Sequence, residues 1–274
     1  MDRLTSSLML LFAAGGAAAD TTIEPSWQRH FDARGARGTF VLLQPLQNRY
    51  TVLDTSRAKQ RFLPAATFEI ANALVGLEVG SIADENALFR WDGKPKLLPA
   101  WERDQTLATG MRDGVAWMFQ EVARRTGKAV LREWLDRLDY GNRDMSPGVD
   151  QFWLQGGLRI SAREQVELLY QLAEGRLPMT QRAQRLVRQA LVVEKTRDYT
   201  LYARTGTSGG KQPVAWWIGW VEKKGRPVGV FAMNYAPGAA SRPDDRFEIG
   251  RAILADAGVL PVTAPATAAA PASR

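Results

Sequence analysis

Hydrophobic residues fall into two different periods along this chain, and the architecture changes where the period changes. Gly38 to Gln44 (GTFVLLQ) and Asn48 to Asp54 (NRYTVLD) are apolar, β-rich runs joined by a short segment containing Pro45, which predicts a hairpin. From Ala66 onward Ile70, Ala73, Leu74 and Leu77 recur at helical spacing, and Pro64 marks where the extended chain turns into that helix. Further helical periods cover Val115 to Thr126, Ala129 to Leu138, Ala162 to Glu174 and Gln181 to Val192, with a turn signal at Tyr140-Gly141-Asn142. Strand-like runs then return at Thr200 to Arg204, Val214 to Glu222 and Pro227 to Tyr235, followed by a helix from Asp244 to Ala257. Strands at both ends and helices between them predict an α+β fold: one antiparallel sheet completed by the two termini, flanked by helices, with an inserted helical lobe.

The first residues carry Arg3, an apolar stretch from Leu8 to Ala14 and the small residues Ala17 to Ala19, the pattern of a secretory signal peptide spanning 1–19. The segment is too short to span a bilayer, and no other segment qualifies, so the expected location is periplasmic with no membrane span after cleavage. Residues 20–260 form the expected folded domain. The Pro/Ala-rich 261–274 lacks any apolar period and is expected to be a disordered tail.

Composition narrows the chemistry. There is no cysteine and a single histidine, His30, which excludes disulfides, Cys/His zinc sites and Ser-His-Asp triads. His30 is read as structural or exposed, and neither metal nor cofactor is expected. The net charge is +7, yet basic and acidic residues interleave along the sequence, which argues against nucleic acid as a partner. The densest basic stripe, Arg182, Arg185 and Arg188, reads as the wet face of a helix whose other side carries Leu186, Val187, Ala190 and Leu191.

Several longer stretches carry a family likeness. Tyr140-Gly141-Asn142, the run DQFWLQGGLRIS from Asp150 to Ser161, and the strand from Ala215 to Trp220 together resemble the class D (oxacillinase-type) serine β-lactamases, over Gly38 to Leu260. The resemblance implies a penicillin-recognising fold with a cleft for β-lactam or peptidoglycan-like ligands. It matches Trp153 and Leu154 to an active-site Trp-Leu pair, Arg204-Thr205-Gly206 with the following Thr207 to a K-T-G strand, and Arg246 to the arginine that receives a substrate carboxylate.

Against that pattern, the reactive positions have changed. PAATFEI from Pro64 to Ile70 stands where the family reads PASTFKI, so Ala66 replaces the nucleophilic serine and Glu69 the lysine that is carbamylated to serve as base. Gly114-Val115-Ala116 stands at the S-x-V triplet, and Arg204 at the K-T-G lysine. In the family the two reactive groups sit at i and i+3 on one helix face, where hydroxyl and base can touch. A methyl group cannot attack a carbonyl and a carboxylate cannot be carbamylated, so the activated nucleophile is lost.

Other candidate nucleophiles lack the required geometry. Thr67 is one residue along the helix and is rotated by about 100° from the required direction. The spacings Ser56-x-x-Lys59 and Ser208-x-x-Lys211 lack the helix N-terminal context that would fix a hydroxyl. Glu69 is expected to pair with Arg204 across the old active site in preference to acting as a general base. Trp217 is expected in the core and Trp153 in the cleft. The reading is therefore a catalytically inactive member of the class D fold with a residual ligand cleft. Its alternatives are a β-lactamase using an unusual residue and a non-enzymatic periplasmic scaffold or partner-binding module.

Overall fold

The computed structural model describes residues 19–210, 212–238 and 241–262. Residues 1–18 of the expected signal peptide, the Pro/Ala-rich tail beyond 262, and Lys211 of the second Ser/Lys spacing lie outside the described residues.

A seven-stranded sheet organises the described chain. Its order is β1 (Asp20–Ile23), β3 (Arg49–Val52), β2 (Arg37–Gln44), β9 (Arg226–Ala236), β8 (Val214–Lys223), β7 (Thr200–Ser208) and β6 (Val192–Lys195). All neighbours are antiparallel except β1, which runs parallel to β3. The hairpin expected at Pro45 is present, and its turn is one 3₁₀ turn, Pro45–Gln47, closed by Asn48 in the left-handed region. N-terminal β2 lies against C-terminal β9 over seven residue pairs, Arg37↔Ala236 to Leu43↔Val230, so the two ends of the domain complete one sheet.

Strand alternation sends side chains to two cores. From β8, Trp216, Ile218 and Trp220 enter the larger core beneath α3 (Glu69–Glu78), α5 (Ala116–Thr126) and α7 (Ala162–Ala173), while Ala215, Trp217 and Val221 enter the smaller core under α9 (Asp245–Asp256). Trp217 is buried as alternation requires, packed at 4.6 Å on Phe231 and at 5.8 Å on Phe247 of α9. On the other face Trp220 stacks on Tyr202 at 4.5 Å and its indole N–H donates to Glu222 at 2.9 Å. His30, on the short α1 (Gln28–Asp32), bonds Asp256 at 2.6 Å and ties that helix to α9, a structural role.

Three elements depart from the sequence reading. The helix expected to reach Val192 is α8 (Gln181–Ala190), because the β-branched Val192 and Val193 continue as the edge strand β6. Ser56 lies on one turn of helix, α2 (Thr55–Lys59), which the Asp54 carboxylate caps at the Arg57 N–H (2.9 Å); both Ser56 and Lys59 are exposed. Unpredicted α4 (Leu107–Asp113) is opened by a reciprocal cap between Thr106 and Thr109, a start signal too brief to carry a visible period. The basic stripe on α8 is only partly solvated, since Arg188 pairs with Glu222 at 2.7 Å and Arg182 donates to the Ala83 carbonyl at 3.0 Å.

Close approach of α9 to the sheet depends on Gly250, where an added Cβ would collide with the Trp217 ring. Replacing Gly250 with Ala should overpack this contact and cost about 1–3 kcal/mol. Urea unfolding of the variant checks it, and an unchanged midpoint would mean that α9 can move away freely.

Candidate active site

The chain reaches the site through a strained turn. Ala65 to Phe68 form a 3₁₀ turn that passes directly into α3, and Ala65 sits at φ +50°, a conformation that costs a non-glycine residue about 1–2 kcal/mol. Its N–H donates to the Trp153 carbonyl at 3.0 Å, which fastens the turn to the loop before β5 (Ile160–Ser161). Gly206 of β7 lies against this turn so closely that a Cβ there would stand 2.9 Å from the Pro64 carbonyl and 3.1 Å from Thr67. The turn, β7 and the C-terminus of α4 therefore meet at Ala66.

What occupies the meeting point is Arg204. Its guanidinium forms an ion pair with Glu69, donates to the Met111 carbonyl at the end of α4, and donates through Nε to the Ala66 carbonyl at 3.3 Å. Glu69 is wholly buried and Arg204 is 6% exposed. Burial pulls the Arg204 guanidinium down to about 10, so it stays protonated at neutral pH. The pairing expected from the sequence is thus present, and Glu69 is held by a cation in the interior with no exposure to water. Its second oxygen, Oε1, has no hydrogen-bond partner among the described residues.

Gly114 completes this arrangement. It ends α4 at φ +65°, and a Cβ there would lie 3.8 Å from Arg204 Nη2. A hydroxymethyl group at 114 would extend toward the guanidinium. Thr67 is no substitute nucleophile: its hydroxyl donates to the Pro64 carbonyl at 2.7 Å, accepts from the Gln165 amide at 2.8 Å, and is buried.

Trp153 corrects an expectation. It does not face the cleft, but is fully buried between Phe68 (5.2 Å) and Phe152 (5.0 Å), because an aromatic cluster gathers around Phe68. The neighbouring Leu154 lines a 620 Å³ cavity with Phe62, Leu63, Ser208 and Gly209. On the other side of β7, Arg204 and Thr205 line a 480 Å³ cavity with Met111, Trp217 and Phe247. Met111 and Phe247 were not singled out in the sequence; each reads there as an ordinary apolar helix position.

Arg246 of α9 differs from Arg204 in its partners. It donates to the Pro243 carbonyl (3.0 Å), the Thr207 hydroxyl (3.0 Å) and the carbonyls of Gly206 and Trp216 (both 3.4 Å). All are neutral. Burial lowers its pKa, and the charge of the Asp244 carboxylate partly opposes this, but no carboxylate forms an ion pair with Arg246 among the described residues. Thr207, exposed at the end of β7, marks where this cation meets solvent.

Comparison with known proteins agrees with this architecture. Residues 30–255 match the family described as the penicillin binding protein transpeptidase domain. The chain is 37% identical to the OXA-5 β-lactamase of Pseudomonas aeruginosa over 265 residues, 95% of this chain and 99% of that one. It is 42% identical to the OXA-48 β-lactamase of Klebsiella pneumoniae over 210 residues, 76% of this chain and 79% of that one. Among solved structures, the class D β-lactamase FUS-1 (OXA-85) from Fusobacterium nucleatum subsp. polymorphum superposes with a TM-score of 0.84 at 30% identity, covering 87% of this chain and all of that one.

Removing one member of the buried pair should cost far more than removing both. Arg204→Ala leaves Glu69 charged and unpaired in the interior and should lower stability by about 3–5 kcal/mol, whereas Glu69→Leu with Arg204→Met should be neutral or stabilising. Chemical denaturation of the single and double variants checks this, and equal losses in both would show that the pair is not the unit described.

Proposed function

We propose that this chain, which belongs to the class D β-lactamase family, binds β-lactam or peptidoglycan-like carboxylates without forming a covalent bond to them. One observation carries the reading: of two buried arginines, Arg204 on β7 and Arg246 beside it, only Arg204 forms an ion pair among the described residues. Arg204 is neutralised by Glu69 within the protein. Arg246 is held by neutral oxygens beside Thr207, so a ligand carboxylate would supply its missing charge through a charge-assisted hydrogen bond.

Opening the lactam needs more than binding. The attacking group must bear a lone pair at the position of Ala66, and a base must take its proton. Ala66 offers a methyl group, and the carboxylate of Glu69 is already bonded to a guanidinium. In the best-studied serine hydrolase, loss of the nucleophile alone costs about 10⁶ in turnover, and further losses add little. The cleft is accordingly read as a receptor for the ligand's carboxylate, in an exported protein, with the acylation step removed.

The test is an intact-mass and binding experiment with a fluorescent penicillin. We expect no mass increment, reversible saturable binding, and affinity about 10–100-fold weaker in Arg246→Ala, the range for losing a hydrogen bond to a charged group. Stoichiometric drug on the unaltered chain, or turnover above a heat-killed sample, would overturn the reading. As a positive control the reactive residues must be restored as a set: Ala66→Ser with Glu69→Lys alone would bury a lysine against Arg204, so Arg204→Lys and Gly114→Ser belong in the same variant.

A further inference from the structure

Six basic residues that are scattered in the sequence gather at one end of the sheet. Strand register fixes the grouping: Arg49 lies opposite Gln44 and Asp20, Lys195 opposite Thr200, Thr200 opposite Glu222, and Lys223 opposite Arg226. Arg197 and Lys224 occupy the turns that join β6 to β7 and β8 to β9. Arg49, Lys195, Arg197, Lys224 and Arg226 are exposed, and the last four have no acidic partner among the described residues. Arg49 is held by Gln44 at 2.8 Å and Lys223 by the Gly258 carbonyl at 3.4 Å, both neutral partners.

The acids at this end are mostly spoken for. Glu194 is bonded to Arg251 and Tyr199, Glu222 to Arg188, and Asp256 to Arg29 and His30. Asp20 and Asp198 are exposed, with no side-chain ion pair among the described residues. Six cations therefore face two free carboxylates, a local excess drawn from a chain whose total is +7. The sequence reading of evenly interleaved charge is corrected by the folding of the sheet, which brings these positions together.

We propose that this end of the sheet docks on an anionic lipid bilayer, with headgroup phosphates as its partner. Shape and apolar content favour a bilayer over other polyanions. Arg197 and Lys224 stand on adjacent turns and the other four cations at the strand ends beside them, which together present a broad face; next to them Leu46, at the tip of the Pro45–Gln47 turn, is 64% exposed and can reach the headgroup boundary. Asp20, the first residue of β1, lies at this same end, with its N–H on the Asn48 carbonyl at 3.1 Å. Thr207 lies seven residues along β7 from Thr200, so at a strand rise of about 3.3 Å per residue docking would hold the cleft about 23 Å from the bilayer.

Co-sedimentation of the full-length protein with vesicles tests this. Each cation near an anionic surface should contribute about fivefold to binding. Vesicles containing phosphatidylglycerol should therefore retain the protein at low salt and release it at about 0.5 M salt, where the screening length falls to a few ångströms. The variant Lys195→Gln, Arg197→Gln, Lys224→Gln, Arg226→Gln should bind these vesicles at least 100-fold more weakly, with unchanged melting, since none of the four side chains makes an ion pair among the described residues. Neutral phosphatidylcholine vesicles control for apolar attachment through residues such as Leu46. Equal binding to both vesicle types, or full retention of binding in the variant, would overturn the proposal. Tighter binding to a duplex DNA or a sulfated polysaccharide than to the anionic vesicles would overturn the choice of a bilayer.

Discussion

The ion pair between Glu69 and Arg204 is the constraint on which the rest of the site depends. Taking two charges out of water costs several kcal/mol each, and their attraction offsets that cost only when geometry and accompanying hydrogen bonds are good. Arginine can meet those terms here because its planar fork reaches three walls at once: α3 through Glu69, α4 through the Met111 carbonyl, and the 3₁₀ turn through the Ala66 carbonyl. A lysine ammonium at 204 would present one compact point of charge and could not span them. The pair thereby clamps together the elements that would otherwise border an open catalytic centre.

The four altered positions make sense only together. Glu69 without a cation would be an uncompensated buried charge, and Arg204 without Glu69 would face only carbonyls. The guanidinium in turn needs room, which the absence of side-chain oxygens at Ala66 and Gly114 leaves open. The strain at Ala65 persists although no nucleophile follows it. Its N–H bond to Trp153 and the tight seat of Gly206 on the turn show why: packing around the turn enforces the backbone conformation, independently of the chemistry that the turn would otherwise present.

Much of the fold could be read from periodicity, because long elements bury one face and repeat accordingly. Strands β2, β7, β8 and β9 and helices α3, α5, α6 (Lys128–Arg137), α7 and α9 fall where apolar spacing puts them. Short elements such as α2, α4 and β6 were missed or misassigned, since four to seven residues held by a cap or by an edge pairing carry too little period to be seen. Of the site, the Glu69–Arg204 pairing was legible because two opposite charges had replaced catalytic groups at positions known to converge. Trp153 was not: its place in the DQFWLQGGLRIS run marks proximity to the site, but whether a ring faces solvent or Phe68 is settled by packing between two segments distant in sequence.

The contrast between the two buried arginines separates structure from recognition. Both are lowered in pKa by burial and both lie against β7, so neither charge nor depth distinguishes them. The difference lies in the counter-ion. A guanidinium already paired with an internal carboxylate gains little from a second anion, and displacing Glu69 would expose the cost of burying it. Arg246 is hydrogen-bonded to neutral oxygens, with Asp244 acting on it only through its charge, so in a partly desolvated site its field can still be felt by a second anion. On our proposal anion recognition falls to Arg246 of α9 with Thr207, at the rim, while Arg204 closes the centre; β7 carries both Arg204 and Thr207 because alternate positions along it face opposite sides of the sheet.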